Sequence, residues 1–283
     1  MARLAIISDI HGNLPALEAV MADLRQMAPD QVIVNGDLVN RGPQSAACLR
    51  AIRAQAWPVV FGNHEEYVLK YVNSSAPPDW YGDLWEPFLS VVRDLTSEEL
   101  AWMQTLPHFH RIEIGTLPAI RVVHGSPRGL SDGLGPWLSD QQLLDAVQTV
   151  PEPLVIAAHT HRTMDRHIGP RWVINCGAVG VPFNGDPRAQ YVLLTSQQGV
   201  WQAEFRCVPY DRTPVYEAWD RAGYIGRSTI ANVFKYEIET ATYHSNAYLS
   251  YCETHGLDEA QMASFDQYRQ DTRDLIPGHP FGH

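Results

Sequence analysis

The feature of this sequence that most constrains its fold is a pattern that occurs five times. A short apolar run is followed directly by a motif that contains Asp, Asn or His. Apolar runs of this length are typical of buried strands, and the carboxyl ends of neighbouring parallel strands lie along one edge of a sheet. We therefore expect residues that are far apart in the sequence to meet at one site. The motifs are Ser8-Asp9-Ile10-His11-Gly12-Asn13, Asn35-Gly36-Asp37, Gly62-Asn63-His64-Glu65, Val123-His124-Gly125 and Ala158-His159-Thr160-His161.

The first quarter of the chain predicts strands that alternate with helices. Asn13 is placed to cap the first helix, whose apolar positions follow the helical period. Such βαβαβ alternation indicates parallel strands joined by right-handed crossovers, and hence an α/β fold. The predicted strands are 3–8, 31–35 and 58–61, and the predicted helices are 14–27 and 44–55.

The sequence up to residue 207 then predicts a second, more antiparallel sheet. Its later apolar runs are separated by turn signals such as Gly169-Pro170 and Gln198-Gly199. The predicted strands are 109–114, 120–124, 154–157, 165–168, 171–175, 191–195 and 201–205, with a helix at 139–147.

Two further regions read as helical. Residues 66–106 are rich in aromatic side chains and predict an insertion that lies over the site or, alternatively, a simple aromatic helical pack. Residues 208–283 are polar and contain many tyrosines but no cluster of ligand side chains. We expect one domain at 1–207 and a helical extension at 208–283 that packs on it or on a second subunit. Activity is therefore expected to survive removal of the extension.

Composition excludes several classes of protein. The net charge is −11 and there are only two lysines, Lys70 and Lys235, which argues against stable binding to a nucleic-acid backbone. No apolar run is long enough to span a bilayer. The four cysteines are scattered without a Cys-x-x-Cys pair, so we expect free thiols in a cytoplasmic protein. Oligomeric state is left open, with a homodimer as one alternative.

The side chains of the five motifs are suited to divalent metal ions. They offer two carboxylates, one carboxamide and four imidazoles, with no thiolate, and His64 is left over. Such mixed oxygen and nitrogen ligands suit Mn, Fe, Zn or Co. Asp37 is a natural bridge, since one carboxylate can hold two cations. Two ions roughly 3.5–4 Å apart can clamp the oxygens of a phosphoryl displacement and bring the pKa of a bound water to about 7.

The motifs, in this order, resemble those of the calcineurin-like metallophosphoesterase superfamily. The similarity covers roughly residues 8–161, and the Gly-rich turn at 175–180 is similar as well. The resemblance implies a four-layer αββα sandwich of two mixed sheets with a dinuclear site between the sheet ends. It also implies ligand sets: Asp9, His11, Asp37 and His161 around one metal, and Asp37, Asn63, His124 and His159 around the other, with His64 beside the phosphate.

The segment from Asp37 to Gly42 resembles the subset that includes serine/threonine protein phosphatases and diadenosine tetraphosphatases. There, the arginine at the position of Arg41 grips phosphate, which suits a bidentate guanidinium. Asn40 stands where that subset has an aspartate that charges the catalytic histidine, so we expect Asn40 to hold the His64 ring without charging it. Ala158 and Cys176 also depart from the pattern, and Cys176 is expected to be a small buried residue. Arg128 and Arg188 each read equally well as a phosphate contact or a solvated loop residue.

We expect a metallophosphoesterase that hydrolyses phosphate mono- or diesters, of a small molecule or nucleotide, with hydroxide activated by two divalent metals. His64 and Arg41 are the predicted catalytic residues. The alternatives are a phosphoprotein serine/threonine phosphatase, a dinucleoside polyphosphate hydrolase and, from another class, a non-catalytic phosphate-ligand sensor or scaffold.

Overall fold

The computed structural model describes residues 1–272, apart from the side chain of Asp83. This part of the chain contains nine strands, which form two sheets. The strands are β1 (Arg3–Ile7), β2 (Gln31–Val34), β3 (Phe109–Ile112), β4 (Ile120–Val123), β5 (Leu154–Ala157), β6 (Met164–Ile168), β7 (Arg171–Asn175), β8 (Ala189–Gln197) and β9 (Val200–Val208).

Ten α-helices occur within the same residues. Two short 3-10 helices, Pro78–Tyr81 and Asp83–Trp85, accompany them. The α-helices are α1 (Leu14–Met27), α2 (Ser45–Arg53), α3 (Asn63–Val72), α4 (Glu86–Asp94), α5 (Ser97–Gln104), α6 (Asp140–Val147), α7 (Thr213–Ala222), α8 (Thr229–Thr240), α9 (Ser245–His255) and α10 (Met262–Thr272).

Both sheets are mixed. The first has the order β2-β1-β8-β9, with β1 parallel to β2 and antiparallel to β8. The second has the order β3-β4-β5-β7-β6, with a parallel centre of β4, β5 and β7 and antiparallel edge strands. The parallel strands place their carboxyl ends, and the motifs that follow them, at a common edge.

Apolar clusters on the two faces of each sheet define four layers. Ile6 of β1 packs between the sheets with Ile156 of β5. Its neighbour Ile7 points to the opposite face, because side chains alternate along a strand, and packs with Leu17 of α1. Leu143 of α6 covers the outer face of the second sheet. The expected αββα sandwich of two mixed sheets is confirmed.

The first helix agrees with its prediction, but the predicted strand at 58–61 is wrong. Asn13 caps α1 and accepts a hydrogen bond from the backbone nitrogen of Ala16 at 3.3 Å. Around Pro58, only Val59 forms a single parallel bridge, with Val34 of β2. Pro58 has no N–H to donate to a ladder, so this segment is an irregular border of the first sheet.

The assignment of the late strands to the second sheet is also partly wrong. β6 and β7 belong there, but β8 pairs with β1 and so completes the first sheet together with β9. Alternating hydrophobicity identifies a strand and its buried face, but it does not identify the partner strand.

The aromatic region and the C-terminal helices share one apolar cluster. Tyr71 of α3 and Phe88 of α4 are buried with Phe234 of α8, Tyr248 of α9 and Phe265 of α10. Both readings of residues 66–106 thus have a counterpart in the structure, since they form a helical pack that also borders the site described below. Residues 273–283 of the expected extension lie outside the described residues. No helix within 1–272 is long and apolar enough to cross a membrane.

Candidate metal centre

The loops that follow the strands are fastened to each other through their main chains. The backbone nitrogens of Asp9 and His11 donate to the carbonyls of Gly36 and Asp37 at 3.1 and 2.9 Å. The backbone nitrogen of Ala158 donates to the His124 carbonyl at 2.8 Å. The predicted site residues therefore come from separate motifs but share one hydrogen-bonded framework.

Many of these residues have left-handed backbone conformations. The φ angles of Asp9, His11, Asp37, His159 and His161 are 51°, 47°, 55°, 66° and 56°. Asp, Asn and His tolerate this region better than most residues, but it is still uncommon for them. Strained backbone persists where surrounding structure enforces it, and it concentrates at functional sites.

Asp9, His11, Asp37 and His161 form one buried group of potential ligands. One side-chain atom from each lies within 4.8 Å of the others. The Nε2 atoms of His11 and His161 are 3.1 Å apart, and His161 Nε2 lies 3.3 Å from Asp9 Oδ1. Asp37 Oδ2 lies 3.5 Å from His11 Nε2.

Asp37, His124 and His159 form a second group, also within 4.8 Å. Asp37 Oδ2 lies 3.3 Å from His124 Nε2. Asn63 Oδ1 joins this group, at 2.9 Å from His124 Nε2 and 2.7 Å from His159 Nδ1. The structure thus brings together all seven predicted ligand residues, and it places Asp37 in both groups.

Three of the imidazoles are oriented by backbone carbonyls. Nδ1 of His11, His124 and His161 lies 3.1, 2.7 and 2.5 Å from the carbonyl oxygens of Val39, Asn35 and Val181, respectively. When Nδ1–H donates to the carbonyl, Nε2 presents a lone pair to the centre of the site, which is the tautomer that a metal ligand needs.

The donor set fits divalent cations. Asp9 Oδ1 is buried and has no hydrogen-bond partner among the described residues, so a buried carboxylate oxygen lacks compensation. Burial lowers the pKa of His11 well below its ordinary value, and it lowers the pKa of His159 to about 4. Neutral imidazoles and ionised carboxylates are the protonation states that bind metals. His124 would have to release a proton to bind one, because the effect of burial is outweighed by Asp37, which raises the pKa of His124 to about 10.

His64 lies at the border of the two groups. Its ring is in edge contact with His11 at 4.6 Å and with Tyr67 at 5.0 Å, and its Nδ1 is buried without a hydrogen-bond partner within residues 1–272. Burial, opposed by Asp37 and reinforced by Arg41, lowers the pKa of His64 well below its ordinary value. At neutral pH the His64 ring is therefore uncharged.

Asn40 does not hold the His64 ring as expected. Its Nδ2 donates instead to the backbone carbonyl of His64 at 3.1 Å, and its Oδ1 is buried with no hydrogen-bond partner in the described part of the chain. The amide fastens the start of α3 to the loop that carries Asn40.

Arg41 is turned towards the C-terminal helices. Its Nη1 donates to Glu237 Oε2 at 2.5 Å and to Ser245 Oγ at 3.3 Å. Burial tends to lower the pKa of Arg41, but Glu237 outweighs it and raises that pKa. Arg41 nevertheless borders the same cavity as Asp37 and His64. Arg41 thus lies beside the ligand groups, and its role in substrate binding stays a prediction. Its carboxylate partner was not predicted from the sequence.

Glu65 is a second residue whose role was not predicted from the sequence. It is fully buried, and its carboxylate accepts hydrogen bonds from the backbone nitrogens of Asp37, Leu38 and Gly62 at 2.8, 2.8 and 3.0 Å. It thus holds the loop after β2 against the start of α3. A glutamate at the third position of a helix, in a capping box, is the signal that could have revealed this role.

Arg128 and Arg188 form ion pairs away from the site. Arg128 forms a two-bond ion pair with Asp132 and Arg188 pairs with Asp186, and both arginine side chains are about half exposed. Neither borders the cavity at the site. Cys176 is fully buried in the core between the sheets, as expected.

A cavity of about 660 Å³ opens over both ligand groups. Ligand residues and His64 line part of it. Aromatic side chains from the helical region at 66–106 and from the C-terminal region line much of the rest, and two of them, Tyr67 and Phe88, contact the His64 ring. These aromatic residues include Tyr67, Trp85, Phe88, Phe234 and Tyr243.

Comparison with known proteins identifies the family. Residues 2–199 match the model of the calcineurin-like phosphoesterase superfamily domain. A protein of uncharacterised function from Methanocaldococcus jannaschii is 27% identical over 236 residues, covering 76% of this chain and 90% of that protein. The crystal structure of a metallophosphoesterase from Sphaerobacter thermophilus is 25% identical, has a TM-score of 0.67 and covers 85% of this chain and 99% of its own.

A more local similarity concerns a named enzyme. The symmetrical bis(5′-nucleosyl)-tetraphosphatase of Methylococcus capsulatus is 38% identical over 111 residues. The match covers 37% of this chain and only 38% of that enzyme.

Proposed function

The chain belongs to the calcineurin-like phosphoesterase superfamily and is a phosphoric ester hydrolase, and we propose that it cleaves phosphate mono- or diesters with two divalent metal ions. The observation that carries this proposal is the position of Asp37 Oδ2, within reach of His11 Nε2 at 3.5 Å and His124 Nε2 at 3.3 Å. A single carboxylate oxygen that belongs to two adjacent donor groups suits a pair of ions. The family and the buried Asp/His cluster support divalent metal binding in general.

In this proposal, each donor group holds one ion. Bound there, two divalent ions would lower the pKa of water to about 7 and neutralise charge on the phosphoryl oxygens. Asp37 would contribute to both positions. Asp9, His11 and His161 would complete one position, and Asn63, His124 and His159 would complete the other. Mixed oxygen and nitrogen donors favour Mn, Fe, Zn or Co.

His64 and Arg41 act on the substrate. His64 is neutral and therefore donates a neutral hydrogen bond to a phosphoryl or leaving-group oxygen. Arg41 is permanently charged and binds phosphoryl oxygens, since a guanidinium forms strong, directional hydrogen bonds with phosphate. These roles are supported by the position of both side chains on the cavity wall.

The cavity favours esters of low molecular weight over phosphoproteins. Its volume of about 660 Å³ suits a molecule the size of a nucleotide. The aromatic side chains that line the cavity beside the ligand groups favour a planar leaving group. A dinucleoside polyphosphate is the second candidate substrate, because the named tetraphosphatase is similar over 111 residues, or 37% of this chain.

The test is a substrate panel with the metal-reconstituted protein. Mn²⁺, Fe²⁺, Zn²⁺ and Co²⁺ are supplied separately, and p-nitrophenyl phosphate, bis(p-nitrophenyl) phosphate, bis(5′-adenosyl) tetraphosphate and a phosphoserine peptide are compared. Anomalous scattering at each metal edge counts and identifies the ions. A protein that binds two ions and inorganic phosphate but hydrolyses none of these esters would be a sensor or scaffold instead.

We place the protein in the cytoplasm and expect no stable nucleic-acid partner. All four cysteines are free thiols, and three of them are buried, which suits a reducing compartment. The net charge of −11 would repel a nucleic-acid backbone. We further propose that 1–207 is the phosphoesterase domain, 66–106 its insertion, and 208–283 an extension packed on it, as the shared apolar cluster supports.

A further inference from the structure

Arg41 reaches from the loop after β2 into the C-terminal helices. Its side chain is only 11% exposed, and its guanidinium carbon lies 5.3–5.6 Å from the ring centres of Phe183, Phe234 and Tyr243. The faces of aromatic rings attract a guanidinium group, but they do not fix its rotation. The direction of the group is set by its hydrogen bonds to Glu237 and Ser245.

Glu237 is held in place without the help of Arg41. It lies on α8, is fully buried and accepts three hydrogen bonds at Oε1. The donors are the backbone nitrogens of His244 and Ser245, at 2.9 and 2.8 Å, and Ser245 Oγ, at 2.8 Å. This places the carboxylate at the N-terminus of α9, where the helix dipole favours an anion. Oε2 is left to receive Arg41 at 2.5 Å.

The guanidinium still has capacity for a ligand. Arg41 Nε is buried and has no hydrogen-bond partner among the described residues. Arg41 borders the cavity together with Asp37, His64 and His161. Buried donors normally have an acceptor, and a phosphoryl oxygen in this cavity would supply one.

Stability alone does not account for this ion pair. Burying two charges costs desolvation free energy that can exceed their attraction, so a buried ion pair is weak evidence of net stability. Glu237 is well suited to orient Arg41. One of its carboxylate oxygens is held by the start of α9, and the other accepts a hydrogen bond from the long side chain of Arg41.

We infer that Glu237, assisted by Ser245, is a positioning residue that holds Arg41 ready for the substrate phosphate, so that α8 and α9 complete a site otherwise built by the phosphoesterase sandwich. The inference rests on the proposed function, because it takes the phosphate that Arg41 contacts to be part of the substrate. It assigns to the C-terminal extension a role in substrate binding, although the extension supplies none of the seven candidate ligands.

The experiment measures hydrolysis of p-nitrophenyl phosphate, inhibition by inorganic phosphate and metal content for the full chain and for Glu237→Gln. The glutamine oxygen can still accept hydrogen bonds from the start of α9. Its uncharged amide group then faces Arg41 in place of a carboxylate oxygen. Loss of one charge-assisted hydrogen bond that orients a ligand contact should lower kcat/KM and phosphate affinity by roughly tenfold to a hundredfold. Metal content should not change.

A double-mutant cycle separates positioning from a general structural effect. If Glu237 acts through Arg41, then Glu237→Gln added to Arg41→Ala should cause no further loss of kcat/KM or phosphate affinity. Additive losses, or a Glu237→Gln protein that binds phosphate as tightly as wild type, would overturn the inference. Ser245→Ala removes a hydrogen bond to Arg41 and another to Glu237, so it should lower kcat/KM and phosphate affinity by a smaller factor. This variant keeps the inference testable if Glu237→Gln does not fold.

Glu152→Gln is the matched control. Glu152 is 1% exposed and forms a two-bond ion pair with Arg121, but it does not border the cavity. Its loss should lower the unfolding temperature without altering phosphate inhibition. A wild-type protein without hydrolysis would contradict the proposed function, whereas the effect of Glu237→Gln on phosphate binding would still decide the role of Glu237.

Discussion

Asp37 Oδ1 accepts a hydrogen bond from the backbone nitrogen of His64 at 2.8 Å, while its Oδ2 faces the Nε2 atoms of both His11 and His124. One oxygen of the carboxylate thus belongs to the scaffold and the other to the candidate metal centre. The two functions can be separated by a substitution that keeps the first oxygen and changes the second.

Asp37→Asn should abolish turnover and weaken binding of both ions while the fold persists. The asparagine oxygen can still accept from the backbone nitrogen of His64, but the negative charge shared by both donor groups is lost. Loss of a supporting group near a metal costs about 10–100-fold in affinity, and loss of the bridge should cost more. Metal content after dialysis, circular dichroism and kcat provide the measurements. An active Asp37→Asn protein with two ions would refute the ligand assignment.

Arg41→Ala should raise KM or lower kcat for phosphate esters without removing metal. The guanidinium borders the cavity but is not in either ligand group. A guanidinium–phosphate contact corresponds to about 10–100-fold in kcat/KM. Arg128→Ala is the control, since Arg128 is 48% exposed and paired with Asp132 outside the cavity. Loss of metal from Arg41→Ala, but not from Arg128→Ala, would assign Arg41 to support of the metal centre.

Removal of metal should lower the unfolding temperature. Asp9 and Asp37 are almost fully buried, and Asp9 Oδ1 lacks a hydrogen bond from any described residue, so cations would compensate buried negative charge. A ligand at 100 times its dissociation constant stabilises the folded state by about 2.7 kcal/mol. We expect chelation to lower the melting temperature, Mn²⁺ to restore it in wild type, and Asp37→Asn to respond weakly. A melting temperature independent of metal in wild type would count against a resident metal centre.

The ligand residues could be predicted from the sequence because each belongs to a short motif at a strand end. Asp9 and His11, for example, need only a strand before them to be placed at the sheet edge. Arg41 and Glu237 are different, since 196 positions separate them. A single glutamate within an amphipathic helix resembles any other polar helix residue, so no local pattern indicates that it is buried against an arginine.

The pairing of strands could not be predicted from local sequence patterns either. The antiparallel register of β8 against β1 joins Arg3 to Thr195, and nothing near either residue specifies the pairing. The expectation that activity survives removal of 208–283 followed from the absence of ligands in that region. The Arg41–Glu237 contact gives a physical reason to expect the opposite result.

Acid should destabilise the protein in part through Glu99. The hydrogen bonds from Arg50, together with those from Thr96, lower the pKa of Glu99 from 4.5 to about 2. A carboxyl whose pKa is lower in the folded state stabilises that state above its unfolded pKa, and this contribution is lost as pH falls from 4.5 towards about 2. Glu99→Gln should therefore flatten the decline of unfolding free energy in this window. Glu98→Gln is the control, because Glu98 is 82% exposed and its pair with Arg53 is screened. Equal declines in wild type and Glu99→Gln would contradict the assignment.

The last prediction concerns the proton supply to the leaving group. His64 is buried and uncharged at neutral pH, and its Nδ1 has no hydrogen-bond partner among the residues that the structure describes. Asn40 donates to the backbone carbonyl of His64 rather than to its ring. His64 should therefore be a weak general acid. Because general-acid help is typically worth about 10²–10⁴-fold and matters most for poor leaving groups, wild type should strongly prefer nitrophenolates over alkyl alcohols. Asn40→Asp should reduce this preference, since a carboxylate raises the pKa of a neighbouring imidazole.

The measurement is the slope of log kcat against leaving-group pKa, under conditions where the chemical step limits turnover. Asn246→Asp is the matched control, because Asn246 borders the same cavity from α9. It adds an equal charge and should raise KM, but it should leave the slope unchanged. A shallower slope in Asn40→Asp alone would show that the residue at position 40 controls the acid. The same slope in wild type and Asn40→Asp would mean that protonation of His64 does not govern departure of the leaving group.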